Sequence, residues 1–458
     1  MANTRSPVHT LKISISGVRG VVGESLTPQL LVGFAQAFGC YVDGGVVLVG
    51  RDTRQTGEMV RTAVTGGLLA TGCYVIDLGI VPVSTVLLSV NQLQADGAIA
   101  ITASHNPAEW NALKFARSGG VFLNSYQAAE LLDIYHQGEF RLASVNDLSP
   151  VETDDQAIAR HIDVLLEHTD VPAVRARRPK VVVDCCNGAA SLMSERLLDE
   201  LGCEVVMIHD TPDGHFPHPP EPIPENLGDL CRAVREARAD VGFAQDADAD
   251  RLAVVSEQGV AIGEEFTLAF ACDTVTSREP GLIVTNISTS RMIDEVAETN
   301  GCRVLRTKVG EINVVETMLR ERAVIGGEGN GGVIHPAVHP CRDSMTGMCL
   351  VLEGLARHGG ISEWARRFRP SGIHKTKIDC PSARLQRALA AVRRAYEDQQ
   401  LDLTEGVKVL WPETRTWLHI RPSNTEPVIR VIAESDTAAQ AQALCTDAMA
   451  VLAATVAG

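Results

Sequence analysis

The sequence predicts an α/β protein of several domains, and three observations carry that expectation. At 458 residues the chain is too long for one hydrophobic core and of a length for roughly three or four domains. Strand-like apolar runs alternate with helix-like ones for most of that length. One pattern also recurs three times: an early strand, then a second strand that runs into a polar or glycine-rich loop.

In the first repeat the run 46–49 (Val-Val-Leu-Val) leads into Gly50-Arg51-Asp52-Thr53-Arg54, and Gly97-Ala98-Ile99-Ala100-Ile101 leads into Thr102-Ala103-Ser104-His105-Asn106-Pro107. A short apolar run reads as a buried strand, and Asn-Pro stops it in a turn. In the second repeat, 180–183 leads into Asp184-Cys185-Cys186-Asn187-Gly188, and 241–244 into Gln245-Asp246. In the third, 282–284 leads into Thr285-Asn286-Ile287-Ser288, and 323–325 into Gly326-Gly327-Glu328. This is a weak repeat of structure rather than of sequence. A charged patch at 152–155 precedes an amphipathic helix, and the six prolines of 212–224 demand a rigid, extended excursion. A linker at 366–372 opens a last domain with a long Ala/Leu/Arg helix over 383–399, a few strands and a C-terminal Ala-rich helix.

Composition narrows the function. With 45% hydrophobic and 21% charged residues the chain is an ordinary globular protein, and with aromatics at 4% its core must rest on Val, Leu, Ile and Ala. The net charge of −16 argues against nucleic acid and anionic membrane as partners. It leaves room for an anionic small molecule, because a local Arg/Lys cluster can dominate inside a cleft. The N-terminal residues lack an apolar signal core, and no run approaches the ~18 apolar residues of a membrane span, so a cytoplasmic location is expected. Twelve cysteines without a C-x-x-C pair read as reduced, mostly buried thiols.

Four segments carry chemistry. Ser104 stands at the C-terminal end of a sheet strand, where open α/β sheets place their sites. Asp246-Ala247-Asp248-Ala249-Asp250-Arg251 has carboxylates at i, i+2 and i+4, which in an extended segment share one side. Three anions so close repel by several kcal/mol unless a cation joins them, and oxygen-only ligands point to Mg²⁺. An EF-hand fails here, because Arg251 replaces the turn glycine and 252–255 continues as a strand. Gly326-Gly327-Glu328-Gly329-Asn330-Gly331-Gly332 satisfies G-x-G-x-x-G, but the Val333-Ile334-His335-Pro336 that follows cannot open the helix a dinucleotide loop requires. Its glycines suit the approach of Glu328 and Asn330 to a polyhydroxylated ligand. Arg421-Pro422-Ser423-Asn424-Thr425, with Arg430, combines small donors and two guanidinium groups into a phosphate cradle. Taken singly, each segment is an ordinary turn. Together they supply a nucleophile, a metal site, a hydroxyl reader and a phosphate binder, which indicates phosphoryl transfer on a sugar phosphate.

At these residues the chain resembles the α-D-phosphohexomutase superfamily. Residues 101–107 with Asn111 and Lys114 are similar to its phosphoserine loop, Asp246, Asp248, Asp250 and Arg251 to its magnesium loop, Glu328 and Asn330 to its sugar-binding loop, and 421–425 to its phosphate-binding loop. Lesser matches at 17–20, 50–54 and 220–227 keep the family order over nearly the full length. The resemblance implies three related mixed α/β domains and a smaller C-terminal α+β domain around a central active-site cleft, expected at 1–152, 153–257, 258–368 and 369–458. It implies a phosphoserine at Ser104 and one Mg²⁺ held with it by Asp246, Asp248 and Asp250. The phosphoryl group is then exchanged with a hexose 1- or 6-phosphate through a sugar 1,6-bisphosphate, which also serves as activator. Arg19, His105 and Lys114 join Ser104 as catalytic candidates. Arg251, Glu328, Asn330, Arg421, Ser423, Asn424, Thr425 and Arg430 are the substrate-binding ones. The expected partner is a small hexose phosphate, the expected state a monomer or homodimer. Two departures stand out. Asn330-Gly331-Gly332 replaces the Ser-Gly-His of many members, a variant similar to that of phosphoglucosamine-mutase-like ones, which leaves the general acid/base unassigned with His335 nearby in sequence. Ala112 replaces the usual glycine after Asn111.

Overall fold

A computed structural model of the chain describes residues 10–14, 17–369, 371–423 and 427–456. Three of its sheets share one plan. In the first, the strands Tyr74–Ile80, Val46–Arg51 and Gly97–Ile101 run parallel and Trp110–Arg117 closes the set antiparallel. The second repeats this order with Glu204–Ile208, Lys180–Asp184, Val241–Gln245 and then antiparallel Leu252–Ser256. The third does so with Arg303–Thr307, Leu282–Asn286, Ile325–Glu328 and antiparallel Gly332–Ile334. In every case the turn between the third and fourth strands carries one of the segments singled out above. The near-continuous Val, Ile and Ala of these central strands fit parallel sheets covered on both faces.

Sequence and structure differ at several edges. The first sheet also takes in Lys12–Ser14, Gly17–Val21 and, at its far edge, Glu152–Thr153, so it reaches one residue past 152. The strand expected over 323–325 is Ile325–Glu328. Its glycines are strand residues because nothing larger fits: a Cβ on Gly326 would stand 2.4 Å from the Val284 carbonyl oxygen, and one on Gly327 2.2 Å from that of Gly332. The helix expected over 383–399 is Ser382–Ala395, since Gln400–Asp402 pairs with 408–410 as a strand. The fourth sheet is antiparallel, ordered Gly372–Asp379, Val428–Ser435, Thr416–Pro422, Val407–Trp411, Gln400–Asp402, and carries Ser382–Ala395 and Ala438–Val456.

One hydrophobic core runs from Val183 and Phe243 through Leu252 and Leu268 to Ile283 and Val351, so the second and third units are fused. The first and fourth have cores of their own. The helices Glu265–Thr276 and Ser344–His358 form the shared layer, each buried nearly all round. All twelve cysteines are free. No described helix is long and apolar enough to cross a membrane.

Candidate active site

Ser104 adopts φ +51°, a left-handed conformation that costs a non-glycine residue of order 1–3 kcal/mol. The fully buried Arg54 holds it there. Its guanidinium donates to the carbonyl oxygens of Ser104 (2.7 Å), Asn106 (2.6 Å), Pro107 (2.6 Å) and Trp110 (2.9 Å), and its Nε to Asp52 (3.1 Å). Asp52 in turn accepts the Thr102 hydroxyl at 2.7 Å, and Thr102 Oγ1 accepts the Ser104 N–H at 3.0 Å. Five charge-assisted bonds and a relay offset the backbone strain.

The result is a hydroxyl aimed across the domain boundary: Ser104 Oγ donates to Asp246 Oδ2 at 2.9 Å. His105 Nδ1 stands 3.2 Å from Ser104 Oγ. The charge of Arg251, burial and the charge of Arg19 together hold His105 well below the ordinary histidine value, so it is neutral. Arg19 reaches the same loop, donating to Asn106 Oδ1 at 2.6 Å.

The three aspartates do converge, though not as an extended segment would bring them together. The chain from Asp246 to Asp250 is a turn, with Ala249 at φ +60° and its N–H bonded to the Asp246 carbonyl. Asp246 Oδ1 accepts the N–H groups of Asp250 (3.0 Å) and Arg251 (3.1 Å), which folds the loop back on its first carboxylate. All three are buried, with one oxygen of each within 4.8 Å of the others. Lys114 Nζ lies 2.8 Å from Asp248 Oδ2 and 3.9 Å from Asp250 Oδ2. Burial works against both partners of this contact, yet Lys114 holds Asp248 below the usual carboxylate range while the two aspartates hold the ammonium above the usual lysine one. Asp246 goes the other way, raised by burial and by its two neighbours. Asp248 Oδ1 and Asp250 Oδ1 are buried without a hydrogen-bond partner. An all-oxygen anionic set with two orphaned oxygens fits a hard divalent cation such as Mg²⁺.

The glycine-rich loop abuts this turn: the Leu252 N–H donates to the Gly331 carbonyl at 3.0 Å. Glu328 accepts from Asn286 Nδ2 and the Gly310 N–H, each at 2.9 Å, and from Arg342 Nη1 at 2.9 Å. Asn330 Oδ1 caps the turn through the Gly332 N–H. Arg342 also pairs with Asp250 Oδ2 and approaches Glu311 Oε2 at 3.3 Å, so one guanidinium ties the acidic turn to the glycine loop. It fills the room beside Gly332, where a Cβ would stand 2.3 Å from Arg342 Cδ. His335 packs edge-on against His168 instead, and burial with the nearby Arg278 and His168 pushes it down to about 4. Arg251 meets Glu221 of the proline-rich segment at 3.4 Å. In the fourth unit Arg421 and Arg430 face each other across paired strands, Arg421 approaches Glu405 at 3.5 Å, and the Ser423 N–H donates to the Val428 carbonyl. Asn424 and Thr425 lie outside the described residues.

Sequence reasoning gave no role to Arg54, Asp52, Arg342 or Glu311. The first two belong to the quoted 50–54 motif, whose charge pair in a strand-end turn was the available signal. Arg342 and Glu311 had none, being single charged residues in unremarkable surroundings.

Four family models describing phosphoglucomutase/phosphomannomutase match the chain: alpha/beta/alpha domains I, II and III at residues 11–142, 159–259 and 263–370, and the C-terminal domain at 376–451. A probable phosphoglucosamine mutase of Methanopyrus kandleri is 38% identical, covering 94% of this chain and 95% of its own. A phosphoglucomutase/phosphomannomutase of Thermococcus kodakarensis is 37% identical over 93% of this chain and 95% of its own. Among solved structures, a phosphoglucomutase/phosphomannomutase family protein of Burkholderia thailandensis superposes with a TM-score of 0.85 at 26% identity, covering 97% of both chains. A putative phosphomannomutase of Thermus thermophilus gives 0.83 at 26% identity over 97% of this chain and 99% of that one.

Proposed function

The chain belongs to the phosphoglucomutase/phosphomannomutase family of phosphosugar mutases, and from that premise we propose that it interconverts glucosamine 6-phosphate and glucosamine 1-phosphate in the cytoplasm. The observation that supports a mutase cycle most directly is Ser104 Oγ, 2.9 Å from Asp246 within a buried carboxylate trio. Ser104 is the phosphoryl carrier. Asp246, Asp248 and Asp250 would hold Mg²⁺ beside its phosphate, supplying charge neutralisation for in-line transfer.

The rest falls to side chains. In the forward step the Oγ–P bond of phosphoserine breaks as a sugar hydroxyl oxygen bonds to phosphorus and its proton passes to a phosphate oxygen, giving a sugar 1,6-bisphosphate. After the bisphosphate turns round, Ser104 Oγ attacks its other phosphate, the bond from that phosphorus to the sugar oxygen breaks, and the freed sugar oxygen takes the proton back from phosphate. His105 takes the hydroxyl proton at Nδ1 in that attack and returns it when Oγ leaves, with the bisphosphate charge offsetting the two arginines that keep the ring neutral. Lys114, held as an ammonium by Asp248, stabilises charge on the transferring group, as do Arg19 and Arg251. Glu328 and Asn330 read sugar hydroxyls. Arg421, Ser423, Asn424, Thr425 and Arg430 hold the phosphate that is not reacting.

The sugar preference rests on the Gly-Glu-Gly-Asn-Gly-Gly loop and on relatives named phosphoglucosamine mutase. The near-equal identity to a phosphoglucomutase/phosphomannomutase supports mannose and glucose phosphates as the second reading. A coupled assay on glucosamine, mannose and glucose 1-phosphates, each primed with its bisphosphate, separates them. Brisk glucose or mannose turnover with none on glucosamine 1-phosphate overturns the first reading. A mass increase of one phosphate on the intact protein, absent in Ser104→Ala, is expected of the mutase. Its absence under all priming conditions points to a silent sugar-phosphate binder.

A further inference from the structure

The second unit gathers another set of metal-ligating side chains at the end of its central strand. Asp184 closes the strand Lys180–Asp184 and is 1% exposed. Its Oδ2 stands 3.1 Å from His209 Nδ1 and 3.1 Å from His218 Nε2. One ligand atom from each residue lies within 4.8 Å of the others. Asp184 Oδ1 accepts the Cys186 N–H at 2.9 Å and His218 Nδ1 is 2.9 Å from the Pro219 carbonyl oxygen, while His209 Nε2 stays 3.6 Å from Asp229 Oδ2, longer than a hydrogen bond.

These partners call for one positive charge among the three groups, carried by His218 or by a bound ion. A carbonyl oxygen only accepts, so His218 Nδ1 carries a hydrogen, and a neutral ring then turns the Nε2 lone pair toward a carboxylate oxygen that also only accepts. His209 needs no charge of its own: neutral, it can donate Nδ1–H to the same Asp184 oxygen, its Nε2 standing beyond hydrogen-bond reach of Asp229. Either one imidazolium and one neutral ring, their centres 5.5 Å apart, share that oxygen, or a single cation is bonded to all three groups. Metal bonds of about 2.0–2.1 Å in a tetrahedron put neighbouring ligand atoms roughly 3.3 Å apart, close to the two 3.1 Å separations from Asp184 Oδ2. A carbonyl or carboxylate on the second ring nitrogen is also how metal-bound imidazoles are fixed in tautomer and orientation.

We propose that Asp184, His209 and His218 bind a transition-metal ion of the Zn²⁺ class, at a site separate from the all-oxygen trio. Two nitrogens and one oxygen suit such an ion better than Mg²⁺. Three protein ligands leave a fourth position open, reached past the partly exposed histidine rings. Cys186 Sγ lies 4.0 Å from Nδ1 of His218, the far side of the ring, and is not a ligand. The ion pins the proline-rich segment, which carries His218 and Glu221, to the strand end.

The test uses the full chain, stripped with a chelator and held in excess Mg²⁺ so that the acidic trio is filled, then given Zn²⁺ or Co²⁺. The expected result is about one Zn²⁺ retained per chain on elemental analysis, a rise in Tm, and with Co²⁺ the intense visible absorption of a low-coordinate nitrogen-containing site. His209→Gln and His218→Gln should each abolish all three signals, and Asp246→Asn should keep them. No retained Zn²⁺ in the unsubstituted protein, or equal retention in both histidine variants, overturns the proposal and leaves a carboxylate shared by an imidazolium and a neutral imidazole. Far-ultraviolet circular dichroism of the stripped variants identifies one that fails to fold, and the other variant together with the Co²⁺ spectrum then decides.

Discussion

The second and third units share one strand order and even one core, yet the loops they deliver are opposites. After Val241–Gln245 comes a turn that concentrates charge, three buried carboxylates in five residues. After Ile325–Glu328 comes a turn that removes side chains, glycines around one glutamate and one asparagine. The scaffold decides where a loop arrives; the size and charge of its residues decide what it can hold. The acidic turn tolerates burial because other segments bring cations to it: Lys114 from the first unit, Arg342 from the third. The glycine turn is satisfied mostly from within its own unit, Glu328 being tied to Asn286, Gly310 and Arg342.

Breaking the charge concentration should have the largest effect. Asp248→Asn strands the Lys114 ammonium and weakens the cation site, so kcat/KM should fall about 10³-fold and the Mg²⁺ requirement rise. A variant within tenfold of the parent, measured by steady-state kinetics across a Mg²⁺ titration, breaks the comparison.

A buried carboxylate without a close cation sharpens it. Glu265, under the glycine turn, meets Lys375 only at 3.5 Å, and burial, opposed by Lys375, pushes it up to about 7. The folded value exceeds the ordinary glutamate one of about 4.3, so the folded state binds the proton more tightly. The stability this provides is complete below about pH 4.3 and is lost as pH rises through about 7. It amounts to about 4 kcal/mol at most. Urea midpoints should therefore fall between pH 4.5 and 8 in the parent more steeply than in Glu265→Gln, and parallel curves count against it.

Gly329→Ala should have the smallest effect, about 1–2 kcal/mol of stability by urea titration, with KM raised more than kcat is lowered. Its Cβ would fall 2.0 Å from Glu265 Oε2, a side-chain end that has to yield. An unchanged KM indicates that the turn has slack to spare.

Much of this was legible in the chain. Strand ends are marked by apolar runs stopping at polar or glycine residues, and all four loops announce themselves by residue type. The acidic turn was legible in composition but not in shape, because the bonds from Asp250 and Arg251 back to Asp246 depend on a left-handed Ala249 that alternation does not reveal. Arg342 was invisible for a different reason. Its role comes from three carboxylates at positions 250, 311 and 328, brought together only when two sheets fuse. The strand at 325–328 was under-read because glycine carries no hydrophobic signal, although close backbone approach is what requires it there.

The grip of Arg54 on the Ser104 loop has a consequence for anyone wishing to move that loop elsewhere. Three carbonyl groups of the loop and that of Trp110 just beyond it answer to a side chain some fifty residues upstream, and Asp52 answers to that side chain in turn. A synthetic peptide spanning 101–107 should thus sample many conformers in solution, and the same heptad grafted onto a foreign strand end should not recover the geometry. The smallest portable unit of this nucleophile is two loops on adjacent parallel strands, 50–54 and 101–110 together.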